Sequence, residues 1–150
     1  MGKIINVDFN ECLKRNKLTK FTKAKSLVSK EISSAKSDME TAFDSFKREN
    51  YKWATVQAYY AMFHTARALL YSKGFREKSH YCLIVAMKTL FVSEKILDIR
   101  LVEALQTAKI LRENADYDSD FSKSSAEALV EKAKDFLKEA EKILNYRSKS

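Results

Sequence analysis

The sequence predicts an all-α fold, an antiparallel up-and-down bundle of four main helices with one or two short ones, and three observations carry that reading. The first is a scarcity: the 150 residues contain no proline and only two glycines, Gly2 and Gly74. Proline and glycine are the chief breakers of regular structure, so their scarcity favours long helices over a many-turned β fold. The second is periodicity, with apolar residues recurring every three or four positions over long stretches. The third is size and composition. A chain that is 45% hydrophobic and 32% charged is globular, and its length suits one domain, residues 1–150, with a core of its own.

In chain order, residues 1–20 read as a short basic N-terminal helix or arm, with apolar spacing from Val7 to Leu18. A long helix is expected from about Thr22 to Glu49, turning Leu27, Ile32, Ala35, Met39, Ala42, Phe43 and Phe46 to one face. The segment Tyr51 to Lys73 is apolar nearly all round, which marks the central, most buried helix. Gly74 lies just past its end, where a left-handed cap is cheap for glycine. A fourth helix spans about Ser79 to Glu94 with Leu83, Ile84, Met87 and Phe91 inward. Asp98 is a fair N-cap for a fifth, running towards Tyr117. Ser124 to Glu127 reads as a capping box for the last, whose apolar marks include Leu129, Phe136, Leu137 and Ala140.

Charge narrows the classes of partner. The formal net charge is +8, and residues 1–100 hold 19 Lys and Arg against 10 Asp and Glu. Between Lys14 and Lys30 stand seven basic residues and no acidic one, a run that attracts polyanions such as RNA or a nucleotide, or else forms a solvated helix face. No apolar run approaches the ~20 residues of a membrane span, and the N-terminus lacks the apolar segment of a signal peptide. Gly2 is no myristoylation site by pattern, since Asn6 stands where Ser or Thr is wanted. Cys12 and Cys82, two cysteines 70 residues apart, read as reduced thiols in a cytoplasmic protein. With two histidines and these separated thiols, neither a metal site nor any other cofactor is expected. Phosphate-binding glycine loops, a GxSxG elbow and HExxH are all missing.

Function in a bundle shows as polar side chains on inward stripes, where burial is costly unless something pairs with them. Leu101, Leu105, Ala108, Arg112 and Ala115 step by three and four, so Arg112 interrupts an apolar stripe, followed at once by Glu113, Asn114, Asp116 and Tyr117. An internal ion pair with Asp116 and a working guanidinium both fit. On the central helix Tyr60, His64, Arg67 and Tyr71 share a face, and arginine with tyrosine suits a phosphate and a base. Lys78-Ser79-His80 opens the fourth helix. Either an anion docks at those free amides, or Ser79 caps while His80 packs on Ile84 and Met87.

These residues, taken together, carry a resemblance. The block Tyr59-Tyr60-Ala61-Met62-Phe63-His64-Thr65-Ala66-Arg67, then Gly74, then Lys78-Ser79-His80, then Arg112-Glu113-Asn114-Ala115-Asp116-Tyr117, resembles the small prokaryotic HEPN domain proteins over about residues 20–147. The resemblance implies a homodimer with a polar cleft at the dimer interface, and RNA or nucleotide as ligand. It further implies a toxin-antitoxin-like pairing with a minimal nucleotidyltransferase. Many such proteins are metal-independent ribonucleases whose motif is an arginine with a histidine four to six residues on. Arg112 matches the arginine, but Tyr117 stands five along and no histidine follows. An unperturbed phenol, with pKa near ~10, is a poor proton carrier at neutral pH. The expected site is therefore Arg112 with Tyr117 as the catalytic candidates, and Arg67, Tyr60, His64, His80, Asn114 and Asp116 as the binding set. Tyr117 is also the implied acceptor of modification by the nucleotidyltransferase. An active ribonuclease and a non-catalytic scaffold are the alternatives.

Overall fold

The computed structural model describes residues 2–114 and 121–145, residues 2–6 by their backbone alone. Six helices follow one another: α1 Gly2–Lys14, α2 Val28–Lys47, α3 Tyr51–Ser72, α4 His80–Met87, α5 Ile99–Glu113 and α6 Lys123–Ile143. Helices α2, α3, α5 and α6 form the expected bundle. The three residues Arg48 to Asn50 between α2 and α3 leave no room for anything but an antiparallel turn.

Helix α3 is the axis. It packs against α2, α5 and α6, and Ala54, Ala58, Ala61, Ala66 and Ala68 on it are wholly buried. Side chains this short let neighbouring helices approach closely. Thr55 and Thr65, also buried, satisfy their hydroxyls on the carbonyls of Tyr51 and Ala61 one turn back, at 2.8 and 2.7 Å. Gly74 takes φ +84° just after α3, the left-handed cap the sequence predicts. Asp98 caps α5 by accepting from the Arg100 amide.

Several expectations are corrected. The second helix begins with a 3-10 turn at Ala24–Leu27, so its α-helical part starts at Val28 rather than Thr22. Ser122, accepting from the Ser125 amide, caps α6 instead of Ser124, because the chain turns extended one half-turn earlier. The fourth helix ends at Met87 and continues as a π turn, Lys88–Val92. The fifth stops at Glu113, short of Tyr117. Leu18 leaves the N-terminal helix to enter a strand: β1 (Leu18–Lys20) pairs antiparallel with β2 (Phe75–Glu77), Leu18 opposite Glu77 and Lys20 opposite Phe75.

The reading of two reduced thiols is overturned. Cys12 on α1 and Cys82 on α4 are joined in a disulfide with Cα atoms 5.9 Å apart, in the range such a bridge requires. Their 70-residue separation in sequence concealed an adjacency that arises because α1 lies along α4. Periodicity reports which face of a helix turns inward, not which helices meet.

Candidate functional site

Arg112 sits in the last turn of α5, where a cation is favoured by the carbonyl end of the helix. Its Nε donates to the Tyr60 hydroxyl at 3.0 Å, and its guanidinium carbon lies 5.5 Å from the Tyr60 ring and 5.7 Å from the Tyr59 ring. The hydrogen bond from Arg112 to Tyr60 raises the guanidinium pKa further, so the charge is permanent. Arg112 is exposed. The stripe is buried at Leu101, Leu105 and Ala108 whereas Arg112 is exposed, so the expectation of an inward guanidinium is corrected. Among the described residues no carboxylate lies within ion-pair reach of Arg112, and Glu113 is engaged by Lys109.

Tyr59 is the hub of this site, and sequence reasoning passed over it in favour of its neighbour. Its buried ring meets Tyr60 edge-on at 5.0 Å and stacks on Phe63 at 6.0 Å and on His80 at 6.2 Å. Burial pushes its phenol up to about 12, with Arg112 pulling the other way, so it stays neutral. The signal available was its i+4 relation to Phe63.

His80 opens α4 just after its cap Ser79, and the anticipated cap is present, accepting from the Cys82 amide. His80 rests on Tyr59 through a ring stack. Its Nε2 is buried without a hydrogen-bond partner, and burial, then Lys109, depress its pKa to about 4. The imidazole is therefore neutral at pH 7. It also lines a cleft of about 350 Å³ with Asp8, Tyr81, Lys88, Gln106 and Lys109. The folded pKa lies below the unfolded value near 6.5, so the unfolded chain binds a proton that the folded chain refuses between pH 6.5 and 4. The thermal midpoint is expected to drop across that window. His80→Phe, which keeps the stack, should flatten that part of the profile; an unchanged profile would assign the acid sensitivity elsewhere.

The other expected residues fall apart into separate groups. His64 reaches α2, its Nδ1 2.7 Å from Glu31 Oε1 and its Nε2 3.7 Å from Asp38 Oδ2. Arg67 is clasped between the Phe63 and Tyr71 rings, 5.2 and 5.4 Å from their centroids, with Nε 3.1 Å from Glu77 Oε2. His64 is held by Glu31 and Asp38 and Arg67 by Glu77, and neither touches Arg112. Tyr60, His64, Arg67 and Tyr71 share a helix face but not a site. Asn114 is exposed at the C-cap of α5. Asp116 and Tyr117 lie outside the described residues. No group of three or more His, Cys, Asp or Glu able to hold a metal occurs among the described residues.

The site is thus a small helical bundle carrying an exposed arginine on a tyrosine pair, with an imidazole behind. A family model for the HEPN domain matches residues 28–149, nearly the whole bundle, and the chain belongs to that family. It is similar to two candidate toxins of Methanocaldococcus jannaschii. One, MJ0142, is 31% identical over 119 residues, covering 78% of this chain and 81% of the relative. The other, MJ0605, is 31% identical over 114 residues, covering 75% and 85%. No helix among the described residues is long and apolar enough to cross a membrane.

Proposed function

We propose that this HEPN protein binds RNA or a nucleotide and acts as the toxin-like half of a pair with a nucleotidyltransferase. One observation carries the reading: Arg112, an exposed guanidinium oriented by Tyr60 and flanked by two tyrosine rings. A planar cation held in this way suits bidentate contact with phosphate, and the rings beside it suit a base. Asn114 adds an exposed amide two residues on. By the family resemblance, Asp116 and Tyr117 complete the cluster, with Tyr117 the residue the partner would modify. The same resemblance suggests a homodimer that brings two Arg112 side chains to one cleft. The toxin role is supported by the names of the two relatives.

The compartment we propose is the cytoplasm, where RNA is met. A disulfide is unusual there. Cys12 and Cys82 are 2% and 4% exposed, which limits attack by soluble thiols.

The test is direct binding of RNA and ATP by the purified protein and by Arg112→Ala. We expect affinity to fall at least tenfold in the variant, as loss of a charge-assisted phosphate contact worth about 1.5–3 kcal/mol requires. Unfolding should be nearly unchanged, since the side chain is exposed. No binding by the wild type, or equal binding by the variant, overturns the reading.

An active metal-independent ribonuclease is the second reading, favoured by His80 sharing the Tyr59 ring with Arg112. At a pKa of about 4 its imidazole is scarcely populated at pH 7 as the imidazolium that an acid requires, and it is a weak base. Binding is therefore the better supported function. RNA cleavage in EDTA that disappears in both Arg112→Ala and His80→Phe would reverse that order.

A further inference from the structure

Two basic stretches far apart in sequence are brought side by side by the small β ribbon. Residues 14–30 carry seven cations and no carboxylate, and residues 73–78 carry Lys73, Arg76 and Lys78 with the single acid Glu77. The chain stitches them together through β1 and β2, through the Lys78 amide donating to the Lys17 carbonyl at 2.8 Å, and through the Phe21 amide donating to the Gly74 carbonyl at 2.9 Å. Glu77 is buried and engaged by Arg67, whereas all ten cations are exposed. Ten cations against one buried carboxylate leave 18 against 19 over the rest of the chain. The two stretches, with Arg15 paired to Glu11, thus carry a charge of +9 against +8 for the whole chain.

That end is shaped as well as charged. A shallow hollow of about 370 Å³ is lined by Lys20, Lys25 and Lys73 around the partly exposed rings of Phe21 and Phe75. Arg76 lies over the Phe21 ring at 5.2 Å. None of Lys17, Lys20, Lys23, Lys25, Lys73 and Lys78 makes an ion pair with a described residue. Unpaired cations at this density repel one another, an arrangement that a polyanion relieves. Lys73, at the C-cap of α3, lies thirteen positions beyond Tyr60, a rise of about 20 Å, so this surface is distinct from the Arg112 site.

We propose that the β1–β2 ribbon and its flanking turns form a docking surface for the backbone of single-stranded RNA, separate from the Arg112 site. Lysines spread along a groove with aromatic rings on its floor track a phosphate chain while leaving room for a base to stack. An anionic membrane would use the charge but offers the rings no base to stack on. The inference rests on RNA being the partner class, but not on Arg112 being the contact.

The experiment measures binding of a fluorescein-labelled 20-nucleotide polyuridine by anisotropy across a salt series. Four proteins are compared: wild type, Lys20→Glu/Lys25→Glu/Lys73→Glu, a control Lys134→Glu/Lys138→Glu/Lys142→Glu on α6, and Arg112→Ala. Thermal midpoints confirm that each is folded. The ribbon variant is expected to lose at least tenfold in affinity, and the slope of log K against log salt should shrink by about 2, three cations at about 0.7 each. The control, with the same change in net charge, should lose less than threefold. Equal losses in the two triple variants would reduce the effect to net charge and overturn the proposal. So would wild-type binding to phosphatidylserine vesicles without binding to RNA. Loss in the ribbon variant with Arg112→Ala unaffected sinks the Arg112 reading alone and upholds this one. The reverse pattern does the opposite.

Discussion

Opening the Cys12–Cys82 disulfide is expected to remove about 4 kcal/mol of stability, the loop entropy released when a closed stretch of 70 residues becomes free in the unfolded chain. For a domain of this length that corresponds to a fall in thermal midpoint on the order of 10 °C. The loss should be concentrated in α1. Apart from the bridge, that helix is anchored by Phe9 against Phe75, ring centroids 5.6 Å apart, and by Leu13 against the core. Melting the wild type with and without a phosphine reductant, beside Cys12→Ser/Cys82→Ser, checks it. The reduced wild type and the double variant should melt together, and the variant should ignore the reductant. Two titratable thiols in the untreated denatured protein would show that the bridge does not form in solution. Amide exchange adds the spatial detail: α1 should lose protection on reduction while α3 keeps it.

Arg67→Met should be the most damaging single substitution of a charged residue, at about 3 kcal/mol. The side chain of Glu77 is 7% exposed and its Oε1 has no hydrogen-bond partner, so Arg67 is the counter-charge that makes its burial tolerable. Burial raises the Glu77 pKa and Arg67 opposes the rise. Without the guanidinium the folded pKa climbs further above its unfolded value. A carboxyl shifted upward costs stability when ionised, and that cost shrinks as pH falls and the folded state takes up the proton. The gap between wild type and Arg67→Met is therefore expected to narrow from pH 8 to pH 5, both proteins being melted at each pH. Arg67→Met/Glu77→Gln should recover much of the loss, since removing both charges leaves none stranded. Arg67→Lys should recover less, because an ammonium does not stack flat between Phe63 and Tyr71. A pH-independent gap would mean that the cost lies in lost ring packing rather than in the Glu77 charge.

These two interactions also mark where a one-dimensional reading stops. Arg67 was recognisable as a cation close to the core face, but its partner lies ten residues on, across a turn, on a strand three residues long. A strand that short has no periodicity to detect. His64 and Tyr60 share the helical face of Arg67, and the face is real. The three side chains separate because α2, β2 and α5 each present a different partner to α3. His80 was correctly placed at a capped helix start, yet its stack on Tyr59 depends on how α4 crosses α3.

By itself the sequence determined the number and order of the main helices, the central place of Tyr51–Ser72, the left-handed turn at Gly74, the Asp98 cap and membership of the HEPN family. Each of these is written in local chemistry: the three-and-four spacing of apolar residues, a residue without Cβ after a helix, an acceptor before one, a motif held together along the chain. Only the tertiary structure decided that Cys12 meets Cys82, that Arg112 stands exposed on Tyr59 and Tyr60, and that the two basic runs lie side by side. The physical reason is the same in each case. Spacing along a helix specifies a direction around its own axis, whereas a contact between elements depends on their relative placement, which the packing of the whole core sets.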